Sequence, residues 1–155
     1  MRGIIFIAMI LAAAGASAVA GAQAPSQETL CNPKSNPYDA VRAAPNSHRV
    51  MFEDKHVRVL EILLPPLTAE PIHIHALPSV IMGDTGGGQG AKFVYTEYKF
   101  ENGKFVEVKK EEISPTPGYR TVYSLPEGPH SITNIGPVGV QYTRIEIKPE
   151  SCARE

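Results

Sequence analysis

The chain has 155 residues, with 15 Lys and Arg against 16 Asp and Glu, a formal charge of −1 and no Trp. It carries no basic cluster, since Lys109-Lys110 runs straight into Glu111-Glu112. Nucleic acid is therefore excluded as an expected partner, because affinity for it comes from Lys and Arg neutralising phosphates.

Residues 1–24 read as a secretory signal peptide. Arg2 gives a positive start, Ile4 to Leu11 is an unbroken apolar run, and an Ala-rich tract follows. Ala16-Ser17-Ala18 and Ala22-Gln23-Ala24 carry the small-x-small pattern of a cleavage site. The apolar run is shorter than the roughly 20 residues of a spanning helix, which favours a signal over an anchor. Cleavage near Ala22 or Ala24 leaves a chain of about 130 residues, the size of one domain. No later segment is apolar enough to span a bilayer, so a periplasmic or secreted protein free of the membrane is expected. Cys31 and Cys152, near the two ends of that chain, are then expected to form a disulfide. Free thiols or a Cys metal ligand are the alternatives, but neither Cys has a His or Cys at ligand spacing.

Residues 25–47 are rich in Pro, Ser, Asn and Ala and read as an extended leader, with a short helical piece at Tyr38 to Ala44. Residues 48–155 are expected to be the folded domain. Arg49 to Phe52 suits a first strand, and Glu53-Asp54-Lys55 a turn. His56 to Leu64 alternates, with Arg58, Leu60, Ile62 and Leu64 on one face. Pro65-Pro66 ends it, because proline lacks the donor that a strand ladder needs. Ile72 to His75 and Ser79 to Met82 are short strands. Gly83 to Gly90 is a loop; no Lys-Ser/Thr or helix follows, so a phosphate loop is not supported. Ala91 to Phe100 and Phe105 to Lys109 flank Asn102-Gly103, the strongest short hairpin signal. Thr121 to Leu125, Ser131 to Asn134 and Val138 to Lys148 complete the set; in the last, Val140, Tyr142, Arg144 and Glu146 share a face. Many short strands broken by turns predict an all-β, antiparallel sandwich or barrel.

His73 and His75 stand two apart on a strand, so both imidazoles point to one face. Two neutral imidazoles side by side are the start of a transition-metal site. His130 lies far downstream, and the fold must bring it to them.

The chain resembles a small single-domain cupin over roughly His48 to Lys148. The resemblance rests on Val50-Met51-Phe52-Glu53-Asp54-Lys55-His56-Val57-Arg58-Val59-Leu60-Glu61, Leu64-Pro65-Pro66, the His73-Ile74-His75 pair and Gly86-Gly87. It closes on Gly128-Pro129-His130-Ser131-Ile132-Thr133-Asn134 and Arg144-Ile145-Glu146-Ile147-Lys148. It implies a two-sheet jelly roll, with His73, His75, His130 and Asn134 at the positions of the two cupin motifs. The motif Glu would fall near Ser79 or Val80, and only Pro129 separates Gly128 from His130, so a complete three-His-plus-Glu centre is not encoded. A three-His centre would hold a divalent ion (Fe, Zn, Ni, Cu or Mn), leave coordination positions open and favour a small anionic organic ligand. Ser79, Asn134 and Tyr142 are candidate pocket residues. His48 and His56 are expected at the surface or in turns, and Tyr95 and Tyr98 in packing roles. Glu61 and Glu146 are candidate cavity carboxylates, with exposed strand charge the commoner role. The alternative is a non-enzymatic binding module with a degenerate metal site. A homodimer is also expected, through the face that carries Ile72 and Ile74.

Overall fold

The computed structural model describes residues 26–84 and 90–154; the signal segment and the centre of the glycine loop lie outside them. Two short helices open the described chain, α1 (Gln27–Cys31) and α2 (Ala40–Ala43). Ser26 caps α1 through its hydroxyl, and the Asp39 carboxylate caps α2 by accepting from the Val41 N–H at 3.2 Å. The short helical piece expected within Tyr38 to Ala44 is α2, α1 is a helix not expected in the leader, and the segment packs onto the domain.

Nine strands follow among the described residues: β1 (His48–Glu53), β2 (Val57–Leu64), β3 (His73–His75), β4 (Ser79–Asp84), β5 (Phe93–Glu101), β6 (Lys104–Ile113), β7 (Arg120–Ser124), β8 (Glu127–Asn134) and β9 (Val140–Ile147). They form two antiparallel sheets, of order β1-β2-β9-β4-β7 and β3-β8-β5-β6. This is the antiparallel sandwich expected from the strand pattern and the two-sheet jelly roll that the resemblance implied; neither sheet closes on itself. The β5–β6 hairpin turns through Asn102 and Gly103, both at positive φ (50° and 80°), as an Asn-Gly turn requires. Strand β8 starts at Glu127, four residues earlier than expected, so His130 lies within a strand and pairs directly with His73.

Strand alternation gives the space between the sheets a polar and an apolar end. On β2 the inward rungs run Arg58, Leu60, Ile62, Leu64; on β9 they run Glu146, Arg144, Tyr142, Val140, each opposite its β2 counterpart. The apolar end holds Leu64, Ala91 and Val140, with Phe93, Ile132, Val138 and Tyr142 against them. Burying such side chains contributes roughly 1.5–3 kcal/mol each relative to exposure.

The other end is held by ions. Arg58 is fully buried and donates through Nη1 and Nη2 to the Asp39 carboxylate at 2.9 and 2.6 Å. Its Nε donates to Glu146 Oε2 at 2.6 Å. Asp39 comes from the 25–47 segment, which also forms a bridge to β3 at Ile74 and places Tyr38 on the Phe105 ring. Ile72 and Ile74, expected on an open face, are half-buried beside it. Cys31 and Cys152 are bonded, with their Cα atoms 5.3 Å apart, and tie this segment to the chain end after β9.

Candidate metal centre

The jelly roll brings His73, His75 and His130 into one buried group. Ring centroids are 4.3 Å apart for His73 and His130, 5.2 Å for His73 and His75, and 5.8 Å for His75 and His130. His48 joins them. It was expected at the surface or in a turn, but it opens β1 facing inward, 3 % exposed, 4.6 Å from the His73 ring and 5.2 Å from His75. The missed signal is the parity of β1: His48 pairs with Ile62, whose side chain faces the core. His56 stands exposed at the turn, as expected.

Each ring is oriented through Nδ1. His73 donates to the Pro71 carbonyl at 2.9 Å, His130 to the Gly128 carbonyl at 2.8 Å and His48 to the Ala44 carbonyl at 3.2 Å. His75 donates to Glu146 Oε1 at 2.8 Å. These partners are all acceptors, so they assign the proton to Nδ1 and leave each Nε2 as a lone-pair donor. Metal-bound histidines are held by such outer partners.

The donor atoms fall into two sets, each with all members within 4.8 Å: His48, His73 and His75, and His75, Glu127 and His130. The expected trio is therefore divided between two sets that share His75. Glu127 adds a carboxylate oxygen 3.8 Å from His130 Nε2. It is half-buried and lies opposite His75 across a bulge. Sequence patterning missed it because the motif Glu falls elsewhere, at Ser79 or Val80.

Electrostatics keep the rings neutral. Burial is the leading cause for all four histidines, holding His48 down to about 4 and His73 to about 2, with His75 and His130 also lowered. The positive charge of Arg144 acts in the same direction on each. Neutral imidazole is the form that binds metal. Burial raises Glu127, but Arg144 and the Ser124 hydroxyl outweigh it and hold the carboxyl below its usual range. Buried neutral lone pairs and an ionised carboxylate, with few donors to meet them, form a donor set that fits a divalent transition metal.

Glu146 is wholly buried rather than an exposed strand charge, and it bridges Arg58 to His75. Glu61 is the surface one of the pair, bonded to Arg49 and Gln141. Ser79 faces inward opposite Glu146, with Oγ buried and without a hydrogen-bond partner among the described residues. Asn134 is committed to the backbone: its Nδ2 donates to the Leu64, Pro65 and Val138 carbonyls, and its Oδ1 accepts from the Gly136 N–H. It pins the β8–β9 connection and offers its amide nitrogen to no ligand. Tyr142 faces inward against Gly83, where a Cβ would approach its own Cβ to 2.8 Å. Tyr95 stacks on the His130 ring at 5.4 Å, and the Tyr98 hydroxyl bonds Ser131. Glu70 is buried near His48, and burial pushes its carboxyl up to about 7.

The chain matches no family model, and no curated protein matches it. Among solved structures it is similar to a cupin domain from Bordetella pertussis Tohama I, at 20 % identity and a TM-score of 0.46, over 66 % of this chain and 92 % of that one. It is also similar to an RmlC-like cupin family protein with a double-stranded β-helix fold from Methanocaldococcus jannaschii (11 % identity, TM-score 0.44, 70 % of this chain and 84 % of that one). A third is a predicted oxalate decarboxylase from Thermotoga maritima (21 % identity, TM-score 0.31, 68 % of this chain and 70 % of that one).

Proposed function

We propose that this protein is an exported cupin that holds one divalent metal ion among His73, His75 and His130, and binds or transforms a small organic anion beside it. The observation that carries this is the tautomer pattern: four buried rings spend Nδ1 on acceptors, which leaves each Nε2 lone pair free, and their ligand atoms gather in two adjoining sets that share His75. His48 completes the set with His73 and His75, and Glu127 the set with His75 and His130, so either set has a third donor without the serine at the motif Glu position. A bound ion there supplies Lewis acidity or an activated water. Export is supported by the apolar start of the sequence and by the Cys31–Cys152 bond.

Elemental analysis of the purified protein against His73→Ala tests the metal. Near-stoichiometric transition metal in the wild type and at least a tenfold loss in the variant are expected; equal content in both rejects the site. Ser79 favours a second reading, a binding module without turnover, since a serine hydroxyl is a poor ligand where a carboxylate is usual. A metal-stripped protein that keeps its ligand, and shows no turnover when reloaded, selects that reading.

A further inference from the structure

Glu70 stands just ahead of β3 and is buried, and its Oε1 has no hydrogen-bond partner among the described residues. A carboxylate that has lost its hydration without gaining a donor is costly. Oε1 lies 3.9 Å from His48 Nδ1, just beyond hydrogen-bond reach.

The backbone fixes Glu70 in that place. Its N–H donates to the Ile132 carbonyl at 2.9 Å, and Ala69 bridges Thr133, so the segment is laced to β8. The next residue, Pro71, gives its carbonyl to His73 Nδ1. One short stretch therefore faces two of the buried rings, with a carbonyl for His73 and a carboxylate for His48.

The four rings are not held equally. Nδ1 lies 2.9, 2.8 and 2.8 Å from its acceptor in His73, His75 and His130, but 3.2 Å from the Ala44 carbonyl in His48. His48 thus has the longest outer bond of the four, with an unmatched carboxylate oxygen beside the same nitrogen. His75 shows the completed arrangement: its Nδ1 meets Glu146 Oε1 at 2.8 Å, and Arg58 takes the other oxygen. A ring that binds a cation through Nε2 becomes a stronger donor at Nδ1, and a carboxylate accepts more strongly than a carbonyl. A shift of about 1 Å brings His48 Nδ1 into reach of Glu70.

We infer that Glu70 is a positioning residue of the proposed metal centre: its carboxylate accepts from His48 Nδ1 and holds the His48 ring as a ligand beside His73 and His75. The ligand atoms of those three rings lie within 4.8 Å of one another. The inference rests on the metal reading above and deepens it, since it adds His48 to the ligands and names what holds it. Two buried carboxylates, Glu70 behind His48 and Glu146 behind His75, then offset the charge of a dication held by neutral rings.

The test is zinc titration of the full mature chain, by competition with a chromophoric chelator, in the wild type, Glu70→Gln, His48→Gln and the double variant. Glu70→Gln should weaken zinc binding at least tenfold, and His48→Gln at least as much. On the His48→Gln background, Glu70→Gln should change zinc affinity less than about twofold, because no ring is left for it to position. Unchanged zinc affinity in either single variant, or equal losses from Glu70→Gln on both backgrounds, overturns the inference. Nitrogen-15 spectra of the wild-type histidine rings keep the test independent of how the variants fold. On zinc loading, His48 Nε2 should move with His73 and His75 Nε2, and the His48 Nδ1 proton should shift downfield as its bond to Glu70 forms. A His48 ring that ignores zinc while His73 and His75 respond overturns the inference and leaves the metal centre standing. No zinc uptake and no response from any ring rejects the metal centre and the inference with it.

Discussion

Arg58 and Arg144 stand on neighbouring strands of one sheet, face the same interior and are both buried, but their surroundings differ. Around Arg58, the carboxylates of Asp39 and Glu146 occupy Nη1, Nη2 and Nε. Around Arg144, the partly exposed Glu127 carboxylate occupies Nη1, and Nε and Nη2 are buried with no hydrogen-bond partner among the described residues. A saturated buried charge network holds the fold, whereas a half-saturated one stores unmet hydrogen-bonding capacity. The first region welds the 25–47 segment to the sheets, and the second leaves two buried donors unmet among the described residues.

The largest expected effect is acid destabilisation of the metal-free protein. In the unfolded chain the histidines take protons below about pH 6.5. Folded, His48 stays neutral to about 4 and His73 to about 2. Between those values the unfolded state binds more protons, so stability is full above pH 6.5 and falls as pH drops. His48 alone contributes on the order of 3 kcal/mol. Glu70, raised to about 7, and Glu146, also raised by burial, work in the opposite sense above the usual carboxyl range, but they are two groups against four histidines. Urea midpoints from pH 7.5 to 4.5 should fall steeply. A flat profile would mean that the Arg144 side of the interior is hydrated.

Next is Asp39→Ala, which strips Arg58 of its bidentate partner and should cost about 3–5 kcal/mol, read as a lower urea midpoint at unchanged slope. A cost under about 1 kcal/mol would show that Glu146 alone satisfies Arg58.

Reduction of the Cys31–Cys152 bond comes third. It frees a segment closed over a separation of 121 residues and should cost about 2–5 kcal/mol, visible as a lower melting temperature in reductant.

The smallest effect sharpens the contrast most. Arg144→Met should shift stability by less than about 1 kcal/mol in either direction, because it removes two unmet donors and leaves Glu127 partly hydrated. A loss as large as that of Asp39→Ala would place Arg144 in the structural class with Arg58.

Much of the strand order was legible because alternation, Asn102-Gly103 and the proline breaks act locally. The His73–His75 pair was legible for the same reason. His48 and Glu127 were not, since each is an ordinary residue in its own strand until β1 and β8 are placed against β3. Arg58, Arg144 and Glu146 carried a signal in retrospect: each shares a face with Leu60, Ile62, Val140 or Tyr142, so alternation alone implied buried charge. What alternation does not supply is the partner. Asp39 reaches Arg58 from a segment that reads as a leader, because its polar and proline-rich composition conceals one buried carboxylate.

The sequence by itself determined the all-β class, the histidine pair on one strand face and the cysteine pair at the chain ends, since all three follow from local periodicity, turn chemistry and redox setting. Only the tertiary structure decided that five ligand-type side chains from β1, β3 and β8 meet, that one arginine is saturated and that the other is left open. Those outcomes depend on register between strands far apart in the chain, where a shift of one residue would turn every one of these groups to the opposite face.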